Sequence, residues 1–405
     1  MPVTKKGRDY TMKQTMKKLI AIFAILTLMT TVFYSSAMAE TASPIYSAAD
    51  LFSSRDLKQE ADLSDAVIYT VSDGQDIHLT EAGVYVLSGT ASSVTVYVEA
   101  GKDDKVQIVL AGVNVTNADF PVIYAKTADK VFVTTSADSQ LTVTGSFKAD
   151  GSTNTDGVIF SKCDLVLNGT AALTISSTDN GVVGKADLKI TGGTYNITAK
   201  SKAIEANDSI RVAGGTLNLV AGTDGLHAEN KDDTSLGYVY ISGGVLNIQA
   251  GDDGIHANSV AQIDGGTITI TAAEGIEGTY IQINGGVINV QASDDGINAA
   301  QKSRAYTATI EINDGDITVA VGAGDTDGID SNGNIIVNGG NINVTGNSTF
   351  DYDGAAQYNG GTIIANGQQV SSISNQMMGG GRGGFGNNGF GNGGFGGWGR
   401  GGRGW

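Results

Sequence analysis

The sequence predicts an all-β fold, a parallel β-helix with turns of about 20 to 22 residues, and three observations carry that prediction. First, a Gly-Gly landmark returns eight times between residues 188 and 367: LKITGGTYNITA, IRVAGGTLNLVA, VYISGGVLNIQA, AQIDGGTITITA, IQINGGVINVQA, IEINDGDITVAV, IIVNGGNINVTG and AQYNGGTIIANG. Its second glycine falls at 193, 215, 244, 266, 286, 315, 340 and 361, and the longer spacings contain the insertions ENKDDTSLGY and AAQKSRAYTA. Second, counted from that glycine, offsets −3, +2, +4 and usually +6 are apolar or Ala, as in Ile241, Leu246, Ile248 and Ala250. This alternation marks a strand with one buried face. Third, no helical period occurs. Repeats of about 20 residues made of short strands suit a solenoid, with turns ~4.8 Å apart and each backbone paired to the turns on either side. A sandwich or propeller would place its landmarks about 8–12 or more than ~40 residues apart.

The segments divide as follows. Lys17 and Lys18 precede an apolar run from Leu19 to about Tyr34, and SSAMAE follows, which predicts a signal peptide over residues 1–39 cleaved after Ala39. No later apolar run is long enough to span a bilayer. Residues 40–64, with SAADLFSSRDLKQEADLSD, read as a polar, weakly helical cap or linker. Residues 65–370 make the β-helix, with irregular N-terminal turns before the regular repeat. Residues 371–405 end in GGGRGGFGNNGFGNGGFGGWGRGGRGW, a low-complexity stretch that cannot build a core and is expected to be disordered.

Charge narrows the partners. The chain has formal net charge −17, with its basic excess at the two ends, so the body from Glu40 to Met378 is near −25. That excludes nucleic acid, which needs Lys and Arg against phosphate, and favours cations. The lone Cys163 excludes an intramolecular disulfide.

Stacked turns align equivalent residues into columns. A second landmark, in TDNGVVG, SKAIEA, TDGLHA, DDGIHA, AEGIEG, DDGINA, TDGIDS and YDGAAQ, gives a column Asn180, Lys202, Asp224, Asp253, Glu274, Asp295, Asp327 and Asp353. Three residues further on come Val183, Glu205, His227, His256, Glu277, Asn298, Asp330 and Ala356. Asp252 and Asp294 double the charge of their turns. Carboxylates stacked at ~5 Å repel unless they are protonated, solvated or bridged by a cation. Oxygen ligands on adjacent turns suit Ca2+, so the candidate metal ligands are Asp224, Asp252, Asp253, Glu274, Glu277, Asp294, Asp295, Asn298, Asp327 and Asp330. The competing reading is a solvated acidic turn, since Asp-Gly is a common turn former. The glycine permits a tight turn and frees carbonyls as further ligands. His227 and His256 share a column but lack Cys, which favours hydrogen-bonded histidines over zinc. A third column, Asn196, Asn218, Asn247, Thr269, Asn289, Thr318 and Asn343, points outward as a polar ribbon that either pairs with itself or meets sugar hydroxyls.

VLSGTASSVTVYVEAGKDDKVQIVLAGVNVTNADFPVIYAKTADKVFVTTS, the Gly-Gly turns and AEGIEGTYIQINGGVINVQASDDGINA resemble the secreted bacterial carbohydrate-binding domain-containing proteins over roughly residues 65–365. The resemblance implies a right-handed parallel β-helix related to pectate-lyase-like proteins, Ca2+ sites along it, and binding of plant cell-wall polysaccharide, acidic pectic chains especially, with cellulose as a further candidate. Asp294, Asp295 and Asn298 match its most distinctive motif, with Glu274 and Glu277 in the preceding turn.

Three functions stay open: a Ca2+-dependent binder that does not cleave, a pectate lyase, and a surface or adhesion protein stiffened by Ca2+. A lyase needs a base, usually Arg or Lys beside the metal, and the candidates are Lys200, Lys202, Arg211, Lys302 and Arg304. Lys202 is expected to pair with Glu205 within its turn. The body holds no Trp, so the plausible sugar stackers are Tyr238, Tyr240, Tyr280 and Tyr306.

Overall fold

The computed structural model describes residues 43–324 and 326–376; the expected signal peptide and the Gly-rich stretch from 377 onward lie outside the described residues. Among the described residues the fold is all-β, with one helix of four residues, Ala48–Leu51, and a long, mostly parallel sheet of solenoid type.

The strands fall into three parallel stacks, all following one register. Leu217, Leu246, Ile268, Ile288, Ile317, Ile342 and Ile363 lie side by side, which is the +2 column of the repeat. They are buried, and the residues between them in sequence face out, as in strand Thr267–Ala272, where exposed and buried positions alternate strictly. The second stack contains Tyr238–Ile241 and its neighbours, and the third contains Asp253–Ala257. The inward residues of all three form one continuous core from Val71 to Ile373. Cys163 is buried within it as a free thiol.

The polar ribbon follows the expected register and pairs with itself. Asn218 Nδ2 donates to Asn196 Oδ1 at 2.8 Å, and Asn247 Nδ2 donates to Asn218 Oδ1 at 2.9 Å. A second amide ladder, Asp264, Asn284, Asn313, Asn338 and Asn359, runs two residues before the Gly-Gly landmark. Each rung of such a ladder satisfies a donor on one strand with an acceptor on the next.

The glycine of the second landmark has a different role from the one expected. Gly225, Gly254, Gly275, Gly296 and Gly328 do not adopt positive φ. A Cβ on Gly254 would sit 2.6 Å from the carbonyl oxygen of Gly275, and one on Gly275 would strike the carbonyl of Gly296 and the Val290 methyl. Glycine is needed here because successive turns approach too closely for any side chain. The carbonyls are also engaged: Gly225 O accepts from Ile204 N, and Gly296 O from Ile276 N.

The same geometry corrects the end of the column. Asp327 lies beside Ser348 and Asp330 beside Asp351, whereas Ala356 pairs with Ile335 in the adjoining stack. The Asp327 column thus ends in Ser348 rather than Asp353, and the Asp330 column ends in Asp351 rather than Ala356. The landmark glycine is replaced there by Thr349, because no further turn of the stack has to pack over its Cβ.

Residues 43–63 do not sit over the end of the helix as a cap. They lie lengthwise along the second stack. The amides of Ile45 and Tyr46 donate to Gln282 and Gln262, Lys189 Nζ donates to Leu51 O, and Asn168 Nδ2 donates to Lys58 O. Asp56, fully buried, takes Lys189 Nζ at 2.9 Å and Lys130 Nζ at 3.2 Å. The strap goes there because this stack presents apolar and cationic side chains that need cover. Tyr46 stacks on Tyr238 at 4.3 Å, and Phe52 packs beside Tyr240. At the other end, residues 371–376 lie against the final turn, where the Gln376 side chain accepts from the Thr349 amide, so they belong with the β-helix.

Candidate metal and carbohydrate face

The outward side chains of the third stack form one file along the molecule. In register these are His78, Tyr97, Tyr124, Phe160, Val183, Glu205, His227, His256, Glu277, Asn298, Asp330 and Asp351. The file changes chemistry along its length: aromatic first, then mixed charge, then acidic.

The middle of the file neutralises itself. Glu205 holds Lys185 Nζ at 3.0 Å and Lys202 Nζ at 3.3 Å, the latter within its own turn as expected. His227 and His256 stack with ring centroids 4.5 Å apart. His227 Nδ1 lies 2.8 Å from Asp224 Oδ2, without hydrogen-bond alignment. His256 Nδ1 lies 2.6 Å from Asp253 and 2.7 Å from Glu277, and Lys302 Nζ reaches Glu277 at 2.7 Å. Nδ1 carries one hydrogen, so the two carboxylates share it and the group titrates as a unit. Two carboxylates, an imidazolium and an ammonium balance one another here, and Asp253, His256 and Glu277 also bring ligand atoms within 4.8 Å of one another.

Burial opposes the charge on His256, but its hydrogen bonds to Asp253 and Glu277 prevail and lift it to about 9. A base raised in the folded state stabilises fully below its unfolded value of about 6.5 and loses that contribution as pH rises through about 9. The melting temperature is therefore expected to fall between pH 6.5 and 9.5, and His256→Gln to flatten that slope; an equal slope in both proteins would refute the assignment.

The acidic end is different. Asp327, Asp330 and Asp351 bring carboxylate oxygens within 4.8 Å of one another. Among the described residues no Lys, Arg or His pairs with Asp327 or Asp330. Burial first, then the charges of Asp295, Asp327 and Asp351, raises Asp330 to about 7. Asp295 Oδ1 accepts the Asp327 amide at 2.9 Å, which ties adjacent turns together. Asn298 donates Nδ2 to Glu274 Oε2 at 3.0 Å, while its Oδ1 is buried with no donor, as is Asp327 Oδ1. Glu274 is raised to about 7 by burial and then by the carboxylates of Glu277, Asp253 and Asp295, against the Asn298 bond.

The ten expected ligands thus separate. Asp224, Asp253 and Glu277 belong to the self-neutralised cluster. Glu274, Asp295, Asn298, Asp327 and Asp330 lie at or beside the acidic cluster, and Asp351 joins them. Asp252 and Asp294 are exposed at the corners and stand outside both groups. Asp351 lacked a sequence signal because its turn has no landmark glycine. All donors at the acidic end are oxygens, which fits a hard cation such as Ca2+, and the unpartnered Asn298 and Asp327 oxygens fit it as well.

The aromatic expectation is also corrected. Tyr238 and Tyr240 are covered by the strap, and the Tyr280 hydroxyl donates to Glu311 at 2.7 Å on the same stack. The accessible rings beside the file are instead His78, Tyr97 and Phe120, packed over the buried Tyr124 and Phe160. Their one-per-turn spacing was hidden by the irregular lengths of the N-terminal turns. Between the aromatic and acidic ends lies a cleft of about 430 Å3 lined by residues including Lys185, Lys202, His227 and Lys231.

No described helix is long and apolar enough to cross a membrane. Comparison with known proteins places these features. The family model of the carbohydrate-binding domain-containing protein matches residues 73–325 and 272–376, more than half of the chain. A carbohydrate-binding domain-containing protein of Acetivibrio thermocellus is 33% identical over 132 residues, 31% of this chain and 46% of the relative, so the chain spans about half the length of the curated relative it matches. A solved polysaccharide lyase-like protein from C. thermocellum, a gadolinium derivative, is 28% identical with a TM-score of 0.49, covering 55% of this chain and 95% of that one. On the extent of the family match, this chain belongs to the carbohydrate-binding domain-containing protein family.

Proposed function

We propose that this chain is a secreted or cell-surface Ca2+-binding protein, a right-handed parallel β-helix with turns of about 20–22 residues, that holds plant cell-wall polysaccharide along its third stack without cleaving it. Acidic pectic chains such as polygalacturonate are the preferred ligand, with cellulose a further candidate. The observation that carries this reading is the cluster of Asp327, Asp330 and Asp351, whose carboxylates face one another while the rest of the file is neutralised internally. Asp295 and Asn298 adjoin it and would complete the oxygen set. Bound Ca2+ supplies positive charge that bridges protein and uronate carboxylates, which offsets the repulsion between an acidic body and an acidic polymer. Lys185, Lys202 and Lys231 of the adjoining cleft add donors for sugar oxygens.

The basic residues support binding rather than lysis. Lys202 pairs with Glu205, Lys302 with Glu277, and Arg211 with Asp187 on the strap-covered stack. Lys200 and Arg304 are exposed. A lyase base must stand free within reach of the proton it removes.

Affinity electrophoresis in polygalacturonate, with Ca2+ and then with EDTA, tests the proposal, together with ultraviolet absorbance of the polymer solution. Retardation in Ca2+ that disappears in EDTA, with no rise in absorbance, is the expected result. Release of unsaturated uronides would convert the reading to a lyase. Retardation that ignores chelator would remove its Ca2+ part, and no retardation in polygalacturonate or on cellulose would leave a stiffened surface protein.

A further inference from the structure

The aromatic end of the file carries a site of its own. A cleft of about 200 Å3 opens there, lined by Asp76, Thr95, Tyr97, Asn117, Asp119 and Phe120 among others. Tyr97 and Phe120 are half-buried, with ring centroids 6.2 Å apart and an interplanar angle of 41°. His78, whose side chain is 55% exposed, stacks on Tyr97 at 4.9 Å and 10° and extends the platform toward the end of the molecule. Tyr97 and Phe120 pack on a small cluster of Tyr124, Phe160 and Val183, separate from the main core. Half-exposed rings outside the core are an apolar surface left for a ligand.

The cleft is built rigidly. The buried Asn117 side chain accepts from Val94 N at 2.8 Å and donates to Val94 O, Phe120 O and Pro121 O, fixing the loop that carries Phe120. Thr95 Oγ1 donates to Pro121 O at 2.8 Å, and the Thr95 amide donates to Asp76 Oδ1 at 2.8 Å. Ser93 holds φ at 58°, a strained conformation for a residue other than glycine, at the edge of the same cleft. A preorganised platform loses little entropy when a ligand lands on it.

The charge selects the ligand. The cations nearby are already committed: Lys126 pairs with Glu99 and Asp150 and lies over the Tyr97 ring, and Lys148 pairs with Asp119. What is left to a ligand is the half-buried Phe120 ring, the half-exposed His78 ring that covers Tyr97, and an acceptor oxygen of Asp76. The apolar C–H face of a sugar ring stacks on the electron-rich face of an aromatic ring, and its hydroxyls donate to carboxylates. A uronate would meet these carboxylates as a like charge.

We propose that this cleft is a second carbohydrate subsite, about nine turns or ~40 Å from the acidic cluster on the same file, that takes a neutral pyranose unit of a polysaccharide and needs no metal. The protein then engages neutral and acidic regions of a cell-wall polymer at separate places on one face.

Affinity electrophoresis of the full chain in EDTA, with hydroxyethylcellulose, xylan or galactomannan in the gel, tests this independently of the Ca2+ proposal. Retardation in at least one neutral polymer is expected, weakened more than tenfold in Phe120→Ala with its melting temperature unchanged. Ala118→Arg, which places a bulky cation at an exposed cleft wall without removing core packing, is expected to do the same and decides the matter should Phe120→Ala melt early. No retardation in any neutral polymer, or retardation unchanged in a folded Ala118→Arg, would overturn the proposal, whatever polygalacturonate does in Ca2+.

Discussion

Replacing Asp327 and Asp330 together by Asn is expected to raise the melting temperature in EDTA and to abolish the further rise that Ca2+ gives the wild type. Without a cation the file holds facing carboxylates that repel, and burial and neighbouring charge already push Asp330 to about 7. The amide keeps the shape and removes the charge, so the metal-free protein gains. The metal-bound protein loses the ligands whose charge holds a hard cation. A cation binding only the folded state stabilises it by about 2.7 kcal/mol at a hundredfold excess over Kd, a shift of several degrees for a chain of this size. Differential scanning fluorimetry with EDTA and with Ca2+ measures both effects. Ca2+-dependent retention on polygalacturonate is expected to drop by more than tenfold in the same variant. A double variant that melts lower than wild type in EDTA, or still gains stability with Ca2+, would show that the cluster is a solvated turn.

Asp56→Ala is expected to cost about 3–5 kcal/mol and to release the N-terminal strap. Asp56 is fully buried between Lys189 and Lys130 and accepts the Ser53 amide at 3.0 Å. Removing it leaves two ammonium groups under the strap with no counter-charge. Burial opposes its ionised form, but the hydrogen bonds from Lys189 and Ser53 prevail and bring it down to about 2. A carboxylate depressed in this way stabilises above its unfolded value of about 3.9 and loses that contribution as pH falls toward about 2. Trypsin, cutting after the exposed Arg55 and Lys58, reads strap release directly, and guanidinium unfolding reads the stability. Rapid cleavage in the variant at pH 8, and slow cleavage in the wild type, is the expected pattern. Equal cleavage rates would show that the strap is held by its aromatic contacts alone.

The strap and the file show where sequence reasoning carried and where it stopped. The Gly-Gly landmark located a buried strand in every regular turn, because the inward alternation repeats with each strand and the glycine stands at a fixed offset. Leu246, Ile248 and the Asn196–Asn218–Asn247 ribbon stand where the repeat put them. The acidic column was equally legible as far as Asp330. What spacing could not supply was the identity of each carboxylate's neighbour across the turn. Lys302 lies in an insertion, and its pairing with Glu277 follows from how that loop folds back. Asp351 entered the cluster through a register that the YDGAAQ motif misdirected. The aromatic file escaped notice because its turns vary in length, so His78, Tyr97, Tyr124 and Phe160 align only once the strands are stacked.

By itself the sequence determined the all-β repeat, the inward columns, the acidic outer column and the family, since each of these is a periodic property of the chain. The tertiary structure decided which acids are neutralised and which are left facing one another, that the N-terminal segment covers a flank, and which aromatic rings stay open. These depend on contacts between residues far apart in sequence, such as Asp56 with Lys189 and Glu277 with Lys302, and a local pattern carries no record of a partner brought close only by folding.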